Sequence, residues 1–357
     1  MTSIDLLRGR MRARGTDRPA AIPADSIQLD RLMALAACLI TFGLFIDGWA
    51  HNHGRVDDSF FTPWHALLYG AVGLSGLILI VTHMRNVSKG FRFSGALPAG
   101  YTASLVGFFM FAAGGVADMV WHEVFGFEEN IEALISPSHL FLAVAGLMIV
   151  TGPIRAAWQR RGGETWSDLL PAVLSLTCIT SIFLFFVAFA AITSSTAMLT
   201  GSRPASTRLI DGLGVVGFLL HSNILLGVLL LATRRWRLPV GTATLIFVGS
   251  AALMTWLRVQ HNKEFLFVLS ALAVGLLADW LLQRGALETV AGTRLFSIVI
   301  PFAYSLGALI VVEILGASVW GAEGLWWLIH MWLGVPVMAG AFGYGLSLLM
   351  RPPAAPA

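Results

Sequence analysis

The chain contains 357 residues, of which 57% are hydrophobic and only 12% are charged, and its formal net charge is +3. Soluble globular proteins have about 45–50% apolar and about 25% charged residues, so this composition excludes a soluble domain, a disordered chain, a collagen and a coiled coil. A surplus of three positive charges indicates no nucleic-acid partner. The composition predicts an all-α, polytopic transmembrane helical bundle in contact with the lipid bilayer.

A helix needs about 20 mostly apolar residues to cross a bilayer, and the sequence contains ten such stretches. In chain order they are 32–50, 64–84, 98–120, 138–158, 169–194, 210–232, 239–257, 264–282, 295–317 and 326–350. The loops between them are short. We therefore expect a basic cytoplasmic segment at 1–30 and a single transmembrane domain at 31–352, in which 31–158 is a duplicated metal-site unit and 165–352 supplies additional helices.

Lysine and arginine residues are distributed unequally between the two sets of loops. If the first of ten spans starts in the cytoplasm, 18 of the 23 basic residues lie on the cytoplasmic side and five on the other. Cytoplasmic loops of membrane proteins carry the excess of positive charge. The sequence therefore predicts a multi-pass protein of the inner (plasma) membrane with both termini in the cytoplasm.

Two Asp–His pairs mark the ends of the first and third predicted spans. Asp47 precedes His51 by four residues, and Asp118 precedes His122 by four residues, which places each pair on one helix face. The aspartates are 71 residues apart, and so are the histidines. Ionisable residues inside a span are costly and indicate a functional site, so the repetition predicts an internal duplication of a helix–loop–helix unit.

The helix that follows each pair begins with the same kind of motif. The first reads Thr-Pro-Trp-His and ends at His65, and the second reads Ser-Pro-Ser-His and ends at His139. Thr and Ser are good N-caps, and Pro is favoured at the first helical position, so each His lies on a rigid first turn. These two histidines are 74 residues apart, which indicates a second loop that is three residues longer.

Each unit thus offers one carboxylate and two imidazoles at the outer face of the membrane. Such a set can bind copper, non-haem iron, zinc or manganese, and the residue types alone leave the choice open. The predicted metal ligands are Asp47, His51, His65, Asp118, His122 and His139.

Four further ionisable residues are weaker candidates for a third polar cluster or a proton path. They lie in the second half of the chain, at or near the predicted outer ends of spans, and carry no repeat signature: His261, Glu264, Glu313 and His330. The two cysteines, Cys38 and Cys178, lie inside apolar spans, and we expect neither a disulfide framework nor a thiolate metal site.

The segment from Asp47 to Gly70, with its run Asp-Ser-Phe-Phe-Thr-Pro-Trp-His-Ala-Leu-Leu-Tyr-Gly, resembles the C subunit of the copper membrane monooxygenases. This family includes the particulate methane and ammonia monooxygenases, and the resemblance covers roughly residues 40–150. It implies copper ligands at the six predicted positions and a membrane-embedded site open to the outer compartment. It also implies O2 and small apolar molecules as substrates, and partner subunits or a homo-oligomer.

Three functions remain open from the sequence. The first is a copper-dependent monooxygenase component, although no catalytic side chain is identified. The second is a metal or proton transporter, which needs polar residues leading to the inner face, and Asp279 is the main one available. The third is a non-catalytic metal-storage or assembly protein. The sequence contains no P-loop and no nucleophile elbow, so it shows no motif for hydrolytic or ATP-driven chemistry.

Overall fold

The computed structural model describes residues 22–55, 61–126, 131–160, 162–191, 207–259, 262–319 and 329–350. Within these ranges the chain is helical and contains no strand, which confirms the predicted all-α polytopic bundle. Ten principal helices follow one another: α1 Ile27–Asn52, α2 Pro63–Ser88, α3 Thr102–Phe125, α4 Pro137–Gln159, α5 Trp166–Phe186, α6 Thr207–Thr233, α7 Thr242–Trp256, α8 Leu266–Gln283, α9 Val290–Val319 and α10 Ile329–Met350.

Nine of these helices are long and apolar enough to cross a membrane, and α7 is shorter, with 15 residues. A helix of that length extends only about 22 Å. Two hydrogen bonds show where the ends of this segment lie. The Trp166 indole at the start of α5 donates to the Val240 carbonyl, and the side-chain amide of Asn52 at the end of α1 donates to the Leu257 carbonyl. Because α1 and α5 run side by side in the same direction, this segment connects opposite ends of the bundle.

Several helix boundaries differ from those predicted. The first helix begins at Ile27, inside the segment predicted to precede the domain, because Ser26 caps it by accepting from the Leu29 amide at 3.3 Å. The third continues to Phe125, so both members of its Asp–His pair lie within regular helix. The fifth ends at Phe186, where the chain enters a short 3₁₀ turn, and the rest of the stretch predicted to reach residue 194 lies partly outside the described residues.

The first four helices form a closed ring. Helices α1 and α2 form one hairpin, α3 and α4 form a second, α2 packs on α3, and α4 packs on α1. Helix α5 covers α1 and α4, and the remaining helices pack in sequence order through α7, α8, α9 and α10, with α6 against α9 and α10. The duplicated unit is therefore a four-helix substructure with one predicted ligand set in each hairpin.

A buried ionic cluster joins the two hairpins at the end of the ring opposite the ligand sets. Asp30 is 1% exposed, accepts a hydrogen bond from the Tyr101 hydroxyl at 2.6 Å and pairs with the Arg160 guanidinium. Asp30 and Tyr101 are themselves 71 residues apart, the spacing of the duplication. Equivalent positions of the two units therefore touch at this end of the ring.

Asp279, the residue that a transport path would need, has a structural role instead. Its buried carboxylate accepts hydrogen bonds from the backbone amides of Ala243 and Thr244, each at 3.0 Å, and from the Thr244 hydroxyl at 2.7 Å. These amides are in the first turn of α7 and have no partner within the helix. Asp279 therefore caps α7 from the neighbouring helix α8.

We expect Asp279→Ala to lower the free energy of unfolding by about 2 kcal/mol, because it removes the oxygens that cap α7. Metal content should not change. The measurement is a denaturation curve of the purified protein in detergent. The control of smaller effect is Asp168→Ala, which removes a partly exposed carboxylate in the first turn of α5. An equal loss in the two variants would show that Asp279 does not hold α7.

Candidate metal centre

The first ligand set lies where α1 ends and α2 begins. Asp47 and His51 share one face of the last turns of α1, and the N-cap of α2, Thr62, accepts from the His65 amide at 3.1 Å. The Asp47 Oδ1 atom lies 3.3 Å from Nε2 of His65 and 4.0 Å from Nε2 of His51. The structure thus brings together the three side chains that the sequence predicted.

The second ligand set is built in the same way from α3 and α4. Ser136 caps α4 by accepting from the His139 amide at 3.4 Å, as Thr62 does in α2. One Asp118 oxygen lies 3.3 Å from Nε2 of His139, and the other lies 3.6 Å from Nε2 of His122. The repeated sequence motif therefore corresponds to a repeated local structure.

Both sets have the dimensions of a metal site. In each, one ligand atom per residue can be chosen so that all three lie within 4.8 Å of one another. Metal–nitrogen and metal–oxygen bonds of about 2.1 Å in tetrahedral geometry separate neighbouring ligand atoms by about 3.4 Å. The carboxylate–imidazole distances of 3.3–4.0 Å therefore suit a first-row transition metal with small adjustments of side-chain torsions.

Backbone carbonyls orient both imidazoles of the second set. Nδ1 of His139 donates to the Ala133 carbonyl at 2.6 Å, and Nδ1 of His122 donates to the Gly126 carbonyl at 3.3 Å. A carbonyl can only accept, so Nδ1 carries the proton and Nε2 is the nitrogen available for a metal. Gly126 ends α3 at φ +81°, a conformation that glycine adopts without steric cost. Such outer hydrogen bonds are typical of metal-binding histidines.

The two sets differ in their exposure. The Asp–His pair of the second set is the more buried: Asp118 is 3% and His122 is 6% exposed, against 17% for Asp47 and 35% for His51. The remaining histidines differ in the opposite sense, since His139 is 26% exposed and His65 is 13% exposed. A metal in the second set would be shielded from solvent on the side of Asp118 and His122, and one in the first set would be more open on the side of His51. A small molecule therefore has easier access to the Asp47–His51 pair than to the Asp118–His122 pair.

Tyr69 lies between the two ligand sets. It is one turn beyond His65 on α2, its ring packs edge-on against Phe111 of α3, and it lies within electrostatic range of both Asp47 and Asp118. The ring is seated on Gly115, where an added Cβ would lie 2.6 Å from its Cε1 atom. The duplication cannot reveal this contact, since the equivalent of Tyr69 in the second unit is an alanine.

We expect Gly115→Ala to lower the free energy of unfolding by about 1–3 kcal/mol, because the new methyl group collides with the Tyr69 ring. The affinity of both sets for metal should fall as well, since Tyr69 lies within electrostatic range of the aspartates of both. Gly70→Ala is the matched control, because no atom lies within 4 Å of the Cβ it would add. Denaturation and metal titration of the two variants test this, and equal effects would show that the close packing of Tyr69 on Gly115 supports neither stability nor metal binding.

The four weaker candidates do not form a third set within the described residues. Glu264 is buried in the turn before α8, and Glu313 lies on the exposed face of α9. Neither belongs to a group of three metal-binding side chains in the part of the chain that the structure describes. His261 and the side chain of His330 lie outside the described residues, so the prediction for them stays untested.

Comparison of the chain with protein-family models, curated proteins and solved structures finds no match. What the structure establishes is a multi-pass membrane helical bundle with two Asp/His/His groups, one in each hairpin of its first four helices.

Proposed function

We propose that this chain is a membrane protein that binds two metal ions, one in each Asp/His/His set, and that the metal is copper. The observation that carries the proposal is the geometric repetition: in two separate hairpins, three ligand atoms come within 4.8 Å of one another. A chance pair of ionisable residues does not account for six side chains in two equivalent arrangements. A bound cation would also stabilise carboxylates that are otherwise costly at this depth.

Copper is the metal that the ligands and the sequence motif favour together. Imidazole and carboxylate ligands suit copper, iron and zinc, and among divalent ions copper binds such sites most tightly. The motif from Asp47 to Gly70 resembles that of the copper membrane monooxygenase C subunit. When bound, copper would supply O2 activation. This chain would provide the ligand side chains, limit the access of water to the metal and admit an apolar substrate.

The outer surface of α2 and α3 suits the arrival of an apolar substrate through lipid. Beside the two sets these helices expose apolar side chains, namely Leu67 on α2 and Val116, Val120 and Phe125 on α3. A small apolar molecule dissolved in the bilayer therefore meets apolar surface up to the ligand sets. On this basis we propose a component of an O2-dependent monooxygenase in the plasma membrane, with its sites on the outer side and with partner subunits.

The position of Asp279 argues against a transporter. A transporter needs polar groups that continue from the ligand sets towards the opposite face. The main candidate, Asp279, accepts hydrogen bonds from the α7 backbone, so its oxygens are already used. A non-catalytic storage or assembly protein would keep both metal sites and lack oxygenase activity, and an activity assay with its partner subunits distinguishes the two.

Metal analysis with electron paramagnetic resonance (EPR) on the purified protein tests this function. We expect two copper ions per wild-type chain, one in His65→Ala, one in His139→Ala and none in the double variant, since each set loses a ligand on a rigid helix start. His83→Ala is the control, because His83 is a buried histidine at the other end of α2. Zinc in the wild-type protein, or no metal, would overturn the copper proposal, and cation flux in proteoliposomes would favour the transporter.

A further inference from the structure

The two cysteines of the chain lie close together across a helix interface, a contact that sequence analysis did not predict. Cys38 is on α1 and Cys178 is on α5, 140 residues later, and their Sγ atoms are 3.8 Å apart. Both are free thiols in this structure. Cys178 is 4% exposed, and Cys38 is partly exposed.

The cysteines lie close together because α1 and α5 pack side by side, with contacts on either side of the thiol pair. At the start of both helices the Arg31 guanidinium donates to the Ser167 carbonyl at 3.4 Å. Seven residues after each cysteine, the rings of Phe45 and Phe185 pack edge to face with centroids 5.2 Å apart. Because contacts on both sides fix the register, the thiol pair is a stable feature of the α1–α5 interface.

A groove between α1, α5 and α7 gives access to the thiol pair. Both cysteines line it, together with Thr41, Ser181 and Leu253. Phe42, at the edge of the groove on α1, is an exposed apolar side chain in the middle of a membrane span. The groove therefore lies on the lipid-facing side of the bundle, and an apolar molecule dissolved in the bilayer can approach the sulfur atoms.

We propose that Cys38 and Cys178 form a reversible dithiol–disulfide pair that links α1 to α5 and is oxidised by a lipid-soluble quinone. Two S–H bonds break and one S–S bond forms, while two electrons and two protons pass to the quinone and give the hydroquinone. A disulfide needs the sulfur atoms at about 2.05 Å, so the two must approach by roughly 1.8 Å. A membrane quinone is the suitable acceptor because the groove faces lipid.

The disulfide would fix the helix that carries the first ligand set. Asp47 follows Cys38 by nine residues on α1, and the link would hold that helix against α5. The proposal does not depend on metal binding, since neither cysteine belongs to a ligand set. Failure of the metal proposal would leave it unchanged, and the reverse also holds.

A cleavable form of the full chain tests the link. A protease site inserted between Gly162 and Gly163, in the exposed connection before α5, separates Cys38 from Cys178 after cleavage. Membranes are treated with a short-chain ubiquinone, cleaved, quenched with maleimide and analysed on a non-reducing gel. We expect the two fragments to remain joined and to separate on addition of a reducing agent. Cys38→Ser and Cys178→Ser should each abolish the joined form.

Intact-mass measurement of the uncleaved wild-type chain provides a readout that needs no variant. The quinone-treated protein should lose two hydrogen masses and accept no maleimide, whereas the untreated protein should accept two. Two maleimide adducts after quinone treatment would overturn the proposal. So would a disulfide between two chains in place of one within a chain, or fragments that stay joined in a single-cysteine variant.

Discussion

Asp118→Asn should remove the metal ion from the second ligand set and leave that of the first in place. The two oxygens of Asp118 face the two imidazoles of the set at 3.3 and 3.6 Å, so this one carboxylate contacts both other ligands. Asparagine keeps the shape but removes the negative charge that a dication needs. Loss of an outer-sphere partner costs about 10–100-fold in affinity, so loss of a ligand should cost about 100-fold or more.

Equilibrium dialysis with copper measures this effect directly. Wild-type protein should bind two ions, Asp118→Asn one, and the matched variant Asp47→Asn also one, and the double variant none. The ion left in Asp118→Asn should exchange the faster of the two, since Asp47 and His51 are more exposed than Asp118 and His122. Two tightly bound ions in Asp118→Asn would contradict a role for this carboxylate as a ligand.

Arg160→Ala should be among the most destabilising single substitutions in the duplicated unit. It removes the cation that pairs with Asp30, whose carboxylate is 1% exposed, and leaves Tyr101 as its remaining partner in the cluster. Breaking a buried ion pair costs about 3–5 kcal/mol because the remaining charge stays desolvated. Arg160 is itself partly exposed, so we expect about 3 kcal/mol.

Thermal or denaturant unfolding in detergent measures this loss of stability. Three further substitutions test whether the loss comes from the buried ion pair. Arg160→Lys retains the positive charge and should recover part of the stability. Tyr101→Phe removes one hydrogen bond and should cost less than Arg160→Ala. Arg234→Ala, at an exposed position after α6, should have no effect. If Arg234→Ala destabilises the protein as much as Arg160→Ala, the buried pair does not join the hairpins.

The ligand sets could be predicted because their determinants are local and occur twice. The four-residue spacing of Asp47 and His51 places both on one helix face, and Thr62 with Pro63 fixes the start of the next helix. Only the meeting of the two helix ends is a tertiary feature, and the short loop between them brings it about. The same reasoning applied to Asp118, His122 and His139, and the structure brings these three together as well.

Features that depend on contacts between distant helices could not be predicted. Nothing in the sequence relates Cys38 to Cys178, because their proximity arises from the packing of α1 on α5. Tyr69 lies between the ligand sets because Gly115 leaves room for it, and neither residue has a counterpart in the other unit. Asp279 looks like a relay residue in the sequence, and only its hydrogen bonds to α7 reveal a helix cap.

Anomalous diffraction from crystals of the copper-loaded protein, recorded at the copper absorption edge, tests the central claim most directly. Two peaks are expected, one among Asp47, His51 and His65 and the other among Asp118, His122 and His139. Data collected below the edge should show neither peak. Absence of density from both positions, or copper bound only at other residues, would contradict the account.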